Sequence, residues 1–479
     1  MPAIFLVSCS KFADKYINNP DPHVNSTGNT AQLLANSLWA SFNANGLVYG
    51  NNQTAYYVQY ISDDAYPSTS LYSTGVNDWA NYYAGPLNDL HYIIDYNTGT
   101  PGAANVVGNG SNKNQIATAR IWRAYLLSIV TDLYGNIPYS EANLQNFTPK
   151  YDKQKDIYTD ILKELTEAVD QFDGGAVVKG DIIFSGDITQ WKKFANSLRM
   201  VLSLRLSNVD PAFAKTQFQA AYSHSAGYIS TNQESAFFPY QNDINFNNPW
   251  YALFFQGNKI GISSFIVTTL ANNADPRLDS MISLDNAGAI TGVDYGMNID
   301  KISAFNAAHT DGISGFSTQF TNWDSKGYFL TASQMMLTRA EAGLLGWISG
   351  TTPKNDYNTA ITLSCNQLGI SDPSLITNLL ATPDVEYGTS TNYTPIQQIA
   401  VQKYIALFPN SIEAYSEWRR TGYPKLTPAP NAVNPSKQIP RRYGYPLLES
   451  TLNTASNAAA LNLMDGTNST DNRVWWDKN

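Results

Sequence analysis

Apolar residues recur at helical spacing along much of this chain. Ile116, Trp122, Leu126, Ile129, Val130 and Leu133 fall on one stripe of a helix. Gly135 then offers a left-handed cap, and Pro138 forbids continuation. Ile157, Ile161, Leu162, Leu165, Ala168, Val169 and Phe172 make a second stripe ended by Gly174-Gly175, so the two form an αα-hairpin. A third helix carries Trp191, Phe194, Leu198, Val201, Leu202 and Leu206, and Asp210-Pro211 starts a shorter one with Phe213, Phe218 and Tyr222. Met335 to Trp347 pairs with Tyr357 to Leu368, Ile396 to Phe408 with Ile412 to Trp418, and Leu33 to Phe42 with Trp79 to Tyr96. Helix pairs of about 34 residues are the unit of tetratricopeptide arrays, which bury a core by stacking. The pattern predicts a mainly α protein, a bundle of such pairs with few short strands.

Between the pairs lie stretches without helical period, at roughly 43–78, 97–113, 224–262, 283–330 and 422–445, dense in Asn, Gly, Tyr and Trp. Loops of that length are uncommon and usually functional. A helical scaffold carrying large aromatic loops is the architecture of a recognition protein.

Composition sharpens this. Charged residues make up only 14% of the 479, whereas 30 of them are Tyr and 10 are Trp. Amides, hydroxyls and phenols have replaced ions as the polar groups, a mixture suited to uncharged polyhydroxylated ligands such as glycans. A net charge of −9 lacks the basic footprint that phosphate neutralisation requires, which excludes nucleic acid as a partner. The two cysteines, Cys9 and Cys365, are too few for a disulfide framework. Cys365 sits in an apolar helical stretch as a small hydrophobe. Cys9 ends the run Ile4-Phe5-Leu6-Val7-Ser8, which reads as a clipped signal peptide remnant closing on a lipobox, with Cys9 the lipidation site. No run of 18 apolar residues occurs, so membrane attachment is expected through the lipid alone.

The apparatus of catalysis is sparse. His23, His91, His224 and His309 are scattered without metal-ligand spacing, and no GxSxG or GxxxxGK motif occurs. Asp63-Asp64 and Asp384/Glu386 are the nearest local carboxylate pairs for glycosidase chemistry. Asp63-Asp64 also suits a hard cation, although no EF-hand spacing supports a structural Ca2+, and no cofactor is expected. For binding, the aromatic loops nominate Asp64, Tyr66, Tyr72, Trp79, Tyr240, Asn248, Trp250, Tyr251, Trp323 and Tyr328 as ligand residues. Rings would stack on sugar C–H faces at about 1 kcal/mol each, by analogy with other aromatic contacts. Trp250 and Trp323, set among Asn, Asp and Ser, are expected to stand in polar loops outside the core. Phe237, Phe238 and Phe254 read as local core beneath them.

Several segments carry a family pattern. Asp132-Leu133-Tyr134-Gly135-Asn136-Ile137-Pro138-Tyr139-Ser140-Glu141-Ala142 resembles the "YGDIPY-EA" signature of SusD/RagB-like outer-membrane lipoproteins of Bacteroidetes, with Asn136 in the common Asp place. Trp191 to Arg199 is similar to their "W-KFANSLRLRLA" helix, Asp275-Pro276-Arg277 to their "DPR" turn, and Thr338-Arg339-Ala340-Glu341-Ala342 to their "L-rAEA" helix. Glu413 to Pro424, Ile439 to Pro446 and the terminal Val474-Trp475-Trp476-Asp477 continue the pattern in family order, and the last places the chain in the branch ending in "vWWD".

The resemblance implies one domain over residues 10–479 after the 1–9 remnant. A tetratricopeptide-like scaffold would span about 31–222 and 331–421, and a loop-rich ligand region about 223–330. It implies a cell-surface lipoprotein of the outer membrane that binds oligosaccharides or a similar nutrient and caps a SusC-like TonB-dependent transporter, with no enzymatic activity. A surface glycoside hydrolase is the alternative. The motif residues themselves read as structural, with Arg120, Arg419 and Arg420 forking onto carboxylates or carbonyls between helices.

Overall fold

The computed structural model describes residues 29–43, 46–73, 78–99, 107–255 and 260–479. Cys9 and His23 lie outside them. The first helices are α1 (Thr30–Phe42) and α2 (Asn52–Tyr57), followed by β1 (Ile61–Asp63). Then α3 (Ala80–Tyr82) passes through a wider π turn at Tyr83–Leu87, which contains Pro86, into α4 (Asn88–Gly99). The long α5 (Asn112–Tyr134) is followed by the short strands β2 (Ile137–Pro138) and β3 (Tyr151–Asp152), then α6 (Gln154–Gln171), α7 (Ile188–Arg205) and α8 (Pro211–Tyr222).

The loop-rich region holds β4 (Ala236–Phe238), α9 (Pro249–Phe255), β5 (Ile260–Ile262), α10 (Ser264–Ala271), α11 (Arg277–Met281), α12 (Ile299–Ala308), α13 (Thr318–Thr321) and β6 (Gly327–Leu330). The scaffold resumes with α14 (Ala332–Leu344), α15 (Pro353–Gln367), α16 (Pro373–Leu380), α17 (Pro395–Ala406) and α18 (Ser411–Thr421), and ends in α19 (Glu449–Leu452) and α20 (Thr454–Asn462).

Local chemistry explains the boundaries. The Asp187 carboxylate accepts from the backbone N–H groups of Thr189 and Gln190 at the start of α7. Asp210-Pro211, Thr352-Pro353, Asp372-Pro373 and Thr394-Pro395 each join a capping side chain to a proline whose missing N–H costs nothing in a first turn. Gly422 closes α18 in the left-handed conformation at φ 71°. Gly135 departs from the expected left-handed cap. Its φ of 87° pairs with ψ of −117°, a region open only to glycine. Three stretches expected to lack helix contain it: α2 and α13 are only six and four residues long, and α9 and α12 are longer. α9 is a single apolar run too short to show a period, and α12 buries only Ile302, so neither carries an amphipathic stripe.

Helices adjacent in sequence pack as pairs: α5 with α6, α7 with α8, α14 with α15, and α17 with α18. Among the described residues the three sheets are all two-stranded and antiparallel: β1 with β5, β2 with β3, and β4 with β6. The β4–β6 pairing sets Phe237 opposite Tyr328 and closes residues 239–326 at their base. Through β1–β5 the 46–73 segment joins that region as well.

Charge is buried between the scaffold helices. Arg205 of α7 binds both Asp132 of α5 and Glu413 of α18. Beside it, Glu341 of α14 receives Lys403 at 2.8 Å and Arg420 at 2.6 Å, and Glu417 receives the same two cations at 3.1 and 2.7 Å. Burial opposes ionisation of Glu341 and Glu417, but Arg420 and Lys403 outweigh it and hold both carboxyls below the usual range. Arg419 donates to the backbone carbonyls of Asp132 at 2.7 Å and Arg441 at 3.0 Å, and Arg120 forks onto Glu164 at 2.9 and 2.8 Å. The terminal motif closes the network, since Trp476 is fully buried and its Nε1 donates to Asp132 at 2.8 Å. The arginines expected to hold the fold do so.

Candidate aromatic binding site

The nominated residues divide by burial. Tyr72, Trp79, Tyr240, Asn248 and Trp250 are core residues and cannot stack on a ligand. Tyr72 receives the Ala429 N–H on its hydroxyl at 3.0 Å, and burial pushes its phenol up to about 12. Trp79 lies among Tyr83, Tyr134, Tyr151 and Tyr445, with ring centroids 5.0–5.9 Å away. The Tyr240 hydroxyl donates to the Phe42 carbonyl at 2.8 Å. Trp250, expected in a polar loop, is 0% exposed and packs on Phe316 at 4.9 Å and Tyr49 at 6.3 Å. The polar neighbours that suggested a surface position flank it in sequence only, because α9 turns Trp250 inward and Tyr251 toward solvent.

Asn248 has a different role from the one its side chain suggested. It is completely buried and donates through Nδ2 to the Ser325 carbonyl at 3.0 Å, while its backbone N–H donates to the Trp323 carbonyl at 2.8 Å. Its Oδ1 accepts the Trp250 N–H at 2.8 Å, capping the start of α9. One amide therefore clamps the Trp323 turn to α9. Within that turn the Ser325 N–H donates to the Asn322 carbonyl at 3.1 Å, and the Ser325 hydroxyl accepts the Asn322 N–H at 3.1 Å.

The clamp brings Tyr251 and Trp323 together, both half-buried, with ring centroids 4.9 Å apart. Phe255, one helical turn beyond Tyr251, stacks on it at 5.2 Å and is 61% exposed. It was not nominated, although its i+4 spacing from Tyr251 was the available signal. Exposed Asn322 and Asp324 flank Trp323 with amide and carboxylate oxygens. This gives apolar ring faces edged by hydrogen-bonding groups, held in place before any ligand arrives.

On β6, half-buried Tyr328 faces Phe237 at 5.4 Å, and Lys326 Nζ lies 4.2 Å above the Phe237 ring. Tyr328, Tyr49, Phe320 and Gln367 line a cavity of about 30 Å³, large enough for a water but not for a sugar ring. A ligand here lies on the surface rather than behind it. Since α13 packs against both α9 and α11, the platform adjoins the element that lines an open cleft of about 730 Å³ between residues 271–280 and 369–375. Tyr66 is 79% exposed on the loop after β1, beside α12, where Asn306 Nδ2 donates to the Asp64 carbonyl at 2.8 Å.

The carboxylates weighed for chemistry are in structural positions. Asp63 is buried and accepts from Tyr56 at 2.6 Å and Ser70 at 2.5 Å, pinning its own loop, and burial raises its pKa. Asp384 holds a turn by accepting from Ser390 at 2.8 Å and Asn392 at 3.0 Å, and Glu386 faces Lys354 at 3.7 Å. Among the described residues no three His, Cys, Asp or Glu side chains stand together as metal ligands. No helix among them is long and apolar enough to cross a membrane.

Comparison with known proteins agrees with this architecture. A family model described as "Starch-binding associating with outer membrane" matches residues 22–446. A solved chitin-binding protein is 28% identical with a TM-score of 0.80, the alignment covering 94% of this chain and all of that one. A SusD homologue from Parabacteroides distasonis superposes with a TM-score of 0.81 at 23% identity, covering 95% of this chain and 98% of its own. A chitin-binding SusD homologue from Flavobacterium johnsoniae, 24% identical, does so with 0.76, covering 94% and 97%. No curated protein sequence matches.

Proposed function

This chain belongs to the SusD-like family, and from that premise we propose that it captures neutral oligosaccharides at the cell surface for delivery to a TonB-dependent outer-membrane transporter. The observation that carries the reading is the clamped, half-exposed ring cluster of Tyr251, Trp323 and Phe255, edged by Asn322 and Asp324. Its flat faces suit the C–H faces of sugars, and its edges suit hydroxyls. Tyr328, Tyr66 and Asp64 extend the proposed contact surface. The lipid anchor at Cys9, the single domain over 10–479 and the capped barrel belong to the same proposal. The ligand classes to try first are those that the family description and the 28%-identical relative name, α-glucan and chitin fragments.

The test is calorimetric titration with maltooligosaccharides and chitooligosaccharides, run beside a reducing-end assay on the same mixtures. Binding of one series without release of new reducing ends is expected. Accumulating reducing ends would favour the hydrolase instead, and silence toward both series would remove the glycan reading. Mild-detergent purification from the native membrane should bring down a barrel protein in near-equal amount. Recovery of the lipoprotein alone would leave a free-standing binder.

A further inference from the structure

A second pocket lies in the scaffold rather than in the loop-rich region. It has a volume of about 380 Å³ and forms where the α7–α8 turn, the end of α14, the first turns of α17 and the end of α18 meet. That size falls inside the roughly 300–1,000 Å³ of small-molecule sites. Its exposed wall is half-buried Tyr423 with Leu345 at the rim, Trp347 closes the inner end as a core residue, and Asn208 and Gln397 supply amides.

Each wall is held in place. Trp347 packs on Phe218 at 5.7 Å, and its carbonyl accepts Gln219 Nε2 at 2.6 Å. The Tyr423 hydroxyl accepts Gln397 Nε2 at 2.6 Å and keeps its own proton to donate. Asn208 spends one N–H on the Arg420 carbonyl at 3.0 Å, which leaves its side-chain oxygen to accept. Donors and acceptors therefore converge on an aromatic-walled space.

The floor decides the charge of the occupant. Arg420 and Glu341 line it, and they belong to the buried group in which Arg420 and Lys403 face Glu341 and Glu417. Two cations balance two carboxylates, and all five guanidinium N–H directions of Arg420 are taken up by Ser207, Glu341 and Glu417. Nothing at the floor compensates an ionic ligand, and burying one there unpaired would be costly. We propose that this pocket is a second binding site, for the terminal residue of a neutral sugar, separate from the Trp323 platform.

Crystals of the full chain soaked in maltose or in diacetylchitobiose at about 50 mM, well above a millimolar dissociation constant, should show a sugar against Tyr423 in this pocket. In solution the Trp323→Ala protein should keep weak binding of that sugar, and adding Leu345→Trp or Asn208→Ala should lower the residual affinity at least about tenfold. Leu345 is 43% exposed and Asn208 lies at the surface, so the melting temperature reports whether either variant is still folded. An empty pocket in both soaks overturns the inference, as does residual binding indifferent to both rim variants. A sugar in this pocket with none at Trp323 would support it and remove the platform reading instead.

Discussion

The α5–α8 and α14–α18 scaffold and the 239–326 segment are both rich in large side chains, yet they use them in opposite ways. In the scaffold even the ions are inside: Arg205 of α7 and Arg419 of α18 are among the largest fully buried side chains, each with hydrogen-bonding partners. In the 239–326 segment one buried ion pair, Asp275–Arg277 at 2.6 Å, stands against rings that divide, Trp250 facing the core while Tyr251, Phe255 and Trp323 reach solvent. A buried charge tolerates almost no substitution of its surroundings, because losing one partner leaves the other uncompensated. An aromatic ring can serve core or surface with the same chemistry. The family signature therefore follows the buried ions, Asp275 and Arg277 of the 239–326 segment included, and the ligand chemistry sits on the rings that the signature leaves out.

The sharpest way to break this contrast is to remove one scaffold ion. Arg420→Met should destabilise the protein by about 3–5 kcal/mol, since Glu341 would keep only Lys403 and Glu417 only Lys403 and the more distant Arg205 at 4.0 Å. Denaturant unfolding measures it. A change below about 1 kcal/mol would mean that the network is only incidental to the fold.

Within the 239–326 segment, two tryptophans should behave in opposite ways. Trp250→Ala empties a fully buried site and should cost about 3–5 kcal/mol of stability. Trp323→Ala should leave the melting temperature nearly unchanged and weaken glycan binding by about 1–3 kcal/mol. Melting curves and titrations on the same two variants settle the assignment. Equal losses of stability in both would place Trp323 in the core and dissolve the platform.

These two residues also show how far the chain could be read unaided. The scaffold helices were legible because a stripe such as Ile157 to Phe172 repeats over several turns, and because Asp-Pro and Thr-Pro pairs mark the starts. The short helices α9 and α12 were not, since one buries little beyond Pro249 and Trp250 and the other only Ile302. For the site, Trp250 and Trp323 have similar polar neighbours along the chain. What separates them is the facing of α9 and the clamp that Asn248 makes to residues 323 and 325, which are 75 or more positions away. No local window contains that information. Asn248 itself looked like a ligand amide because a buried clamp and a sugar contact ask for the same donor and acceptor.

The smallest expected effect concerns the scaffold's charge count. Arg205, Lys403 and Arg420 face four carboxyl groups, those of Asp132, Glu341, Glu413 and Glu417, so one carboxyl is in excess. Burial raises the Glu413 pKa above its usual range in spite of Arg205, whereas Glu341 and Glu417 are held below theirs. A carboxyl whose folded pKa lies above its unfolded one favours folding in its protonated form. Its contribution is complete below the unfolded value of about 4.3 and is lost as pH rises through the folded value. Glutamine keeps an amide oxygen for Arg205 and carries no charge at any pH. Glu413→Gln should therefore match the wild type in acid and become the more stable of the two as pH rises toward neutrality, as read from denaturant midpoints across that range. A wild type that instead becomes the more stable of the two as pH rises would show that Glu413 is ionised in the fold and that the excess carboxyl lies elsewhere in the network.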